Sequence, residues 1–304
     1  MIRHHHAVPE WPARVIILGG SGFVGRSLTD FLSQRGVHTL SLSSTELNLM
    51  APAAAEHLRR LIAPDDVVVI ASAITPDKGK DITALIRNLV MAENLSSALA
   101  AAPCSQVIYL SSDAVYPDDA ALVSEDTACA PKSLYGLMHL AREEALSAAV
   151  AAHKVPLLIL RLSIIYGVGD THNSYGPNRF IRSALAQRRI DLFGEGEEKR
   201  DHIWIHDVCR LIGDALSRRS EGLVNVATGG SWSFRDIAGW VAESVGGAVT
   251  LHCRARQVPV THKHFDISNT IRAFPDFHFA PLRTGLGRTI AVWPRQAKDE
   301  GAAA

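Results

Sequence analysis

The run Val15-Ile16-Ile17-Leu18-Gly19-Gly20-Ser21-Gly22-Phe23-Val24-Gly25 constrains this chain more than any other stretch. Four consecutive apolar residues ending at glycine read as a strand buried on both faces, the habit of a parallel sheet. Past the glycines, Phe23, Val24, Leu28, Phe31 and Leu32 recur at helical intervals as far as Gly36, which is placed to end a helix. A strand, a glycine turn and a helix in that order present the helix's first free N–H groups and a bare backbone to a pyrophosphate. Gly19, Gly22 and Gly25 tighten the turn and let the phosphates approach, with Ser21, Phe23 and Val24 completing the loop. A purely structural turn is the alternative.

The same alternation continues. Thr39–Leu42, Val67–Ile70, Gln106–Leu110 and Leu157–Leu160 read as strands, and the Ala/Leu-rich stretches 82–102 and 134–152 as helices between them. Strand alternating with helix predicts an α/β fold, a Rossmann-type doubly wound parallel sheet with a smaller mixed α/β substrate lobe. The hydrophobic fraction of 47% fits a globular chain rather than a disordered one. Lys+Arg and Asp+Glu both number 31, so nothing in the charge favours nucleic acid or an anionic membrane. Cys104, Cys129, Cys209 and Cys253 lie far apart with no C-x-x-C pair, which argues against a disulfide framework or a zinc site. No apolar run approaches the ~18 residues of a membrane span. The first residues, with His4-His5-His6, lack a signal-peptide core and are expected to form a disordered lead-in, as are 300–304 at the other end. The expected setting is the cytoplasm.

The strand Thr39–Leu42 should end beside the adenosine ribose, where an acidic residue selects NAD. Ser43-Ser44 stands there instead, so a 2′-phosphate is tolerated. The cofactor is therefore NAD or NADP, with a lean towards NADP and Arg26 as a charge partner. Ala71-Ser72-Ala73, after the third strand, is small enough for a cofactor to pass close by.

Ser111-Ser112-Asp113-Ala114 follows the fourth strand at its C-terminal edge, and Tyr135 opens the next long helix. Together with the glycine loop these residues resemble the extended short-chain dehydrogenase/reductase family, in particular its nucleotide-sugar epimerase/dehydratase/reductase branch. The resemblance runs along nearly the whole chain. It takes in Asn48-Leu49, Ser72-Ala73, Asn88, Arg161 through Tyr166-Gly167, Gly176-Pro177-Asn178-Arg179-Phe180, Phe193-Gly194-Glu195-Gly196, Arg200-Asp201, His206-Asp207-Val208 and Asn225-Val226-Ala227.

That resemblance implies hydride transfer between a nicotinamide and a sugar carbon, with Tyr135 exchanging the hydroxyl proton and Ser112 hydrogen-bonding the same oxygen. It places Asn48, Leu49, Ala71, Ser72, Ala73, Asn88 and Ser163 at the cofactor, and Asp113, Asn178, Arg179, Phe193 and Arg200 at the substrate. Phe193 would lie on the nucleotide base and Arg200 on the diphosphate, a task suited to a planar guanidinium. Arg200-Asp201 equally suits a local surface ion pair, and Phe193 a core.

The family's tyrosine is followed four residues later by a lysine that lowers its pKa and grips the ribose, and here that residue is His139. At i+4 it shares a helical face with Tyr135. It either takes over ribose binding and part of the activation, or replaces lysine passively in a slow enzyme, or marks a chain that binds cofactor without catalysis. On the first reading His139→Lys retains or raises activity. Ala114 occupies the place of one dehydratase acid/base residue, so dehydration is disfavoured, and Ile164 replaces a substrate-contacting Asn.

His202 and His206 are four apart but lack a Glu between them, so no metal is expected. Asp207 is expected to cap the helix from Val208, and Ser233 the helix after it. The expected division is a dinucleotide-binding domain at 13–166, to which 203–227 returns, and a substrate lobe at 167–202 and 228–300. Three functions stay open: an NAD(P)-dependent epimerase or ketoreductase of a nucleotide sugar, a non-catalytic dinucleotide-binding sensor or scaffold, and a reductase of a non-sugar carbonyl compound. Helices 82–102 and 134–152 are apolar on more than one face, and by resemblance they pair two subunits of a homodimer.

Overall fold

The structure is a computed structural model that describes residues 2–299. The 300–304 tail, expected to be disordered, lies outside the described residues. The first half runs β1 (Arg3–His4), β2 (Arg14–Leu18), α1 (Phe23–Ser33), β3 (Thr39–Leu42), α2 (Ala54–Leu61), β4 (Asp66–Ile70), α3 (Ile82–Ala101), β5 (Gln106–Ser112), β6 (Leu122–Val123) and α4 (Leu134–Ala151). The second half runs β7 (Leu157–Leu162), β8 (Ile164–Tyr166), α5 (Pro177–Gln187), β9 (Arg189–Phe193), β10 (Lys199–Trp204), α6 (Ile205–Ser217), β11 (Ser220–Val226), β12 (Ser231–Ser233), α7 (Phe234–Val245), β13 (Thr250–Arg254), β14 (His264–Phe265), α8 (Ser268–Ala273) and α9 (Leu282–Asp299).

Seven strands form the main sheet in the order β1-β11-β7-β5-β4-β2-β3, parallel throughout except for β1. Alternate residues of each strand feed opposite faces. Val15, Ile17, Val67, Val69, Ile108 and Leu110 pack under Leu28 and Leu32 of α1 and Val208 and Ile212 of α6. Ile16, Leu18, Val68, Ile70, Val107 and Tyr109 pack under Leu58 of α2, Leu95 and Leu99 of α3, and Leu146 of α4. Each such side chain contributes roughly 1.5–3 kcal/mol by leaving water, which makes two-sided burial the main support of the sheet. The result is the Rossmann-type, doubly wound fold. Its strand order reverses at β2, and ligands of open α/β sheets bind at such a switch point.

A second core lies beside the sheet. Phe180, Ile181 and Ala184 of α5, Ile190 and Leu192 of β9, Phe234, Ile237 and Val241 of α7, and Leu286 of α9 pack together. The short sheets β12-β10-β8 and β13-β9 frame this core.

Helix starts follow their caps. Asp81 accepts from Ala84 N to open α3, Ser133 accepts from Gly136 N to open α4, and Ser233 forms a capping box with Asp236 at α7. Two expectations are overturned. The N-terminal lead-in is ordered, because Arg3 and His4 pair with Glu221 and Ser220 and His4 bonds Ser220 Oγ and Ala273 O. Asp207 does not cap α6, which begins two residues earlier at Ile205; its carboxylate instead pairs with Arg210 and accepts from Ala280 N.

Candidate active site

The C-terminal ends of β2, β3 and β4 enclose a cleft of about 240 Å³. Of the residues assigned to a dinucleotide, Gly19, Ser21, Gly22, Ser43, Ser44, Asn48, Leu49, Ala71, Ser72 and Ala73 all line it. Its narrowness explains the glycines. Gly19 adopts φ +97°, and a Cβ there would sit 2.8 Å from Ser72 N. A Cβ on Gly25 would strike Gly19 O at 2.2 Å, so Gly25 lets α1 pack on the loop rather than touch a ligand. Phe23 and Val24 pack against the sheet core and do not line the cleft. Asn88 is buried, bonds Ile74 N, Ile74 O and Ala84 O, and so anchors the 74–81 loop. Ser163 faces Asp201 at 3.5 Å. Arg26 bonds Gly169 O, away from the adenosine end.

One charged residue lines the cleft and another stands beside it, neither with a sequence signal. Lys78 lines it from the 74–81 loop. The Glu46 carboxylate accepts from Ser43 N at 2.7 Å, and that hydrogen bond holds it below its ordinary pKa. A carboxylate thus stands at the end of β3, where Ser43-Ser44 read as lacking one.

The catalytic segment is drawn together by one glycine. A Cβ on Gly136 would lie 2.0 Å from Ala114 O, so only glycine lets the first turn of α4 close on the 113–115 turn. This brings Tyr135 to Ser112. Burial pushes the Tyr135 phenol up to about 12, Asp113 adds to the rise, and Arg142 and the Ser112 hydroxyl oppose it. Burial raises the Asp113 carboxyl too, against the pull of Lys263, whose Nζ lies 3.5 Å away.

His139 points inward. It is buried, its Nδ1 lies 2.6 Å from Tyr109 Oη, and its ring meets the Tyr135 ring edge-on at 4.6 Å. Burial, reinforced by Arg142, lowers its pKa to about 3, so the imidazole is neutral. It therefore does not replace the family's lysine as a cation; its Nδ1 is engaged by Tyr109, and its Nε2 has no hydrogen-bond partner among the described residues. Behind it, Glu143 ties β5, β7 and α4 together. It accepts from Ser111 Oγ at 2.5 Å and from Arg161 at 2.6 and 3.0 Å.

The substrate assignments divide. Phe193 is 41% exposed and its ring meets Tyr175 at a tilt, with centroids 4.9 Å apart. Arg179 is exposed and lines a second cleft of about 410 Å³ with Arg182, Asp191 and Arg254. Asn178 is buried and spent on Gly167 N and Asp170. Arg200 is engaged by Glu198 and by the Thr261 carbonyl and hydroxyl, which lie beside Lys263. Among the described residues no three His, Cys, Asp or Glu converge as a metal cluster.

A family model described as "NAD dependent epimerase/dehydratase family" matches residues 15–227. The chain belongs to that family. It is 25% identical to a dTDP-L-rhamnose 4-epimerase of Burkholderia thailandensis, over 94% of this chain and 96% of that protein. It is 33% identical to a dTDP-4-dehydrorhamnose reductase of Mycolicibacterium smegmatis, over 60% of this chain and 54% of the other. Among solved structures, MoeE5 in complex with UDP-glucose and NAD superposes with a TM-score of 0.77 at 23% identity, covering 94% and 99% of the two chains. A UDP-N-acetylglucosamine 4-epimerase from Methanobrevibacter ruminantium M1 superposes with a TM-score of 0.79 at 19% identity, covering 94% and 99%. In α4 of this chain a neutral His139 and a buried Arg142 follow the tyrosine. Sequence reasoning missed both Arg142 and Lys263: the i+7 spacing from Tyr135 could have found the first, and no local signal could have found the second, 150 positions from Asp113.

Proposed function

We propose that this chain is an NAD-dependent epimerase or ketoreductase of a nucleotide-diphosphate sugar, with Tyr135 as its acid/base. The observation that carries the reading is the convergence of Ser112 and Tyr135 beside the glycine-lined cleft. The residues of the glycine-lined cleft would hold NAD, which would supply a hydride acceptor and donor for the sugar carbon. Tyr135 takes up or delivers the proton of the reacting hydroxyl, and Ser112 holds that oxygen in line with the phenol. The Gly19–Gly25 loop seats the pyrophosphate on the N-terminus of α1.

NAD is favoured over NADP because the Glu46 carboxylate repels a 2′-phosphate, despite the room left by Ser43-Ser44. On the substrate side, Phe193 offers an exposed ring to the base and Lys263 a cation close to Asp113. The curated relatives' names point to a deoxyhexose carried on dTDP as the first substrate to try. A homodimer is supported by the exposed stripe Ile82, Ile86 and Leu89 on α3 beside Leu137 on α4. The free thiols Cys104, Cys129, Cys209 and Cys253 support a reducing, cytoplasmic setting.

The test is a panel of dTDP- and UDP-sugars, and their 4-keto forms, incubated with the chain and each cofactor. Epimerisation appears as a new diastereomer without net cofactor consumption, and ketoreduction as loss of reduced-nicotinamide absorbance. Tyr135→Phe should abolish either. The neutral His139 favours one competing reading, a chain that binds NAD without catalysis, and turnover lost in Tyr135→Phe would exclude it.

A further inference from the structure

Arg142 is the largest fully buried side chain among the described residues, with 0% of its surface exposed. Among the described residues it has no carboxylate partner, since Glu143, next in the chain, is spent on Arg161. One of its nitrogens, Nη1, donates to Ser72 O at 2.8 Å, in the segment that lines the cofactor cleft, and the same nitrogen lies 3.9 Å from Met138 Sδ. Its Nε and Nη2 have no partner at all. Taking a cation out of water without a counter-charge is strongly unfavourable, so an orphan of this kind calls for a function.

Geometry says which. Residues 135, 139 and 142 fall on one face of α4, and long helical side chains lean towards the helix N-terminus. The guanidinium accordingly turns back towards the first turn of α4. Its Cζ lies 5.2 Å from the Tyr109 ring, whose hydroxyl holds His139, which in turn packs against Tyr135. The charged and titratable groups around Tyr135 are few. Asp113 comes from the 113–115 turn with Lys263 against it, Asp77 from the loop before α3, and His139 and Arg142 from α4 itself. Both carboxylates disfavour a phenolate; His139 is uncharged; Lys263 is committed to Asp113.

We propose that Arg142 is the cation of this site: buried on the catalytic helix and bonded to the wall of the cofactor cleft, it supplies to Tyr135 the positive charge that His139 does not. The chain has in effect moved the charge from the residue four after the tyrosine to the residue seven after it. A guanidinium stays charged throughout the working pH range, whereas a buried imidazole does not. Arg142 is thus a positioning residue for charge, acting on the ionisation of Tyr135 rather than on the substrate.

The inference rests on Tyr135 being the acid/base, and its test does not depend on knowing the sugar. A fluorinated tyrosine is placed at position 135, where its more acidic phenol titrates within the range the fold tolerates, and its ¹⁹F resonance is followed against pH with and without NAD. Arg142→Met should raise the midpoint by about one pH unit, a tenfold loss in the ionisation constant. Arg142→Lys should keep it near the wild-type value. A folded Arg142→Met protein with an unmoved midpoint overturns the proposal. If that variant does not fold, His139→Lys/Arg142→Met takes its place, since it restores a cation to the same face. A midpoint at or below wild type supports the relocation, and a raised midpoint overturns it. Should no nucleotide sugar be turned over while the midpoint still shifts, the proposed function fails and the role of Arg142 stands.

Discussion

The Glu143–Arg161 pair offers the sharpest test of how the site is held. Glu143 is 3% exposed and Arg161 5%, and both guanidinium bonds to the carboxylate are short, at 2.6 and 3.0 Å. Arg161 also donates to Tyr116 Oη at 2.9 Å, and Tyr116 donates to Asn225 at 2.8 Å. Glu143→Gln keeps the shape and removes the charge, which leaves Arg161 buried without compensation. Breaking a buried pair from one side costs about 3–5 kcal/mol. At roughly 2–3 °C per kcal/mol for a chain of this size, Tm should fall by about 6–15 °C. The assay is urea unfolding of wild type and variant, in which the midpoint should drop with little change in slope. Glu143→Leu/Arg161→Leu should recover most of the loss, because two apolar residues of similar volume leave no stranded charge. Glu56, exposed and paired only on the surface of α2, serves as the control, and Glu56→Gln should leave the midpoint where it was. A Glu143→Gln loss below about 1 kcal/mol would refute the reasoning, since it would mean that the buried guanidinium needs no carboxylate.

Other consequences follow from the same structure. Tyr135→Phe should abolish turnover while leaving the NAD dissociation constant within about threefold of wild type, read by protein fluorescence, because the phenol meets the reacting hydroxyl and the glycine loop holds the pyrophosphate; a large loss of NAD affinity would show that Tyr135 is mainly a cofactor ligand. Glu46→Gln should raise NADP affinity relative to NAD by roughly tenfold, about the effect of removing one repelling charge near the 2′-phosphate, and an unchanged ratio in parallel titrations would remove Glu46 from cofactor choice. Burial, and for His139 the neighbouring Arg142, lowers His139 and His202 from 6.5 to about 3. Between those values the unfolded chain binds protons that the folded one refuses, so stability present above pH 6.5 is lost on acidification, at up to about 1.4 kcal/mol per pH unit for each group. Burial raises Asp201 to about 6, which acts in the opposite sense, so the comparison is His202→Phe against wild type. Urea midpoints for His202→Phe should fall less steeply between pH 6 and 4, and parallel profiles would show that His202 does not titrate on unfolding.

The fold and the cofactor cleft were legible because their signals are local. Val15–Gly25 encodes a strand, a turn and a helix in adjacent residues, and the glycines are demanded by backbone contacts within the loop and with Ser72. Ser233 announced its helix in the same way. Expectations based on a residue's chemistry alone travelled less well. Asn178 and Arg200 have the right chemistry for a sugar and a diphosphate, yet one is spent on Asp170 and the other on Glu198. Arg3 and His4 begin a stretch expected to be a disordered lead-in, yet they form an edge strand, because their partner β11 arrives from more than 200 residues away.

The sequence by itself determined an alternating α/β chain that must form a parallel, doubly wound sheet, a glycine turn between its first long strand and helix, and a Ser112–Tyr135 pair at the carboxyl edge. Periodicity and backbone freedom are properties of neighbouring residues, and they need no partner to be read. Only the tertiary structure decided what charge each group carries and where it goes. Tyr109 is 30 positions from His139, Ser72 is 70 from Arg142, and Asp113 is 150 from Lys263. Those contacts remove water from one imidazole and one guanidinium on the same helix face. Burial then makes the histidine neutral and leaves the arginine as the cation beside Tyr135, because desolvation acts on ionisation and no sequence spacing reports it.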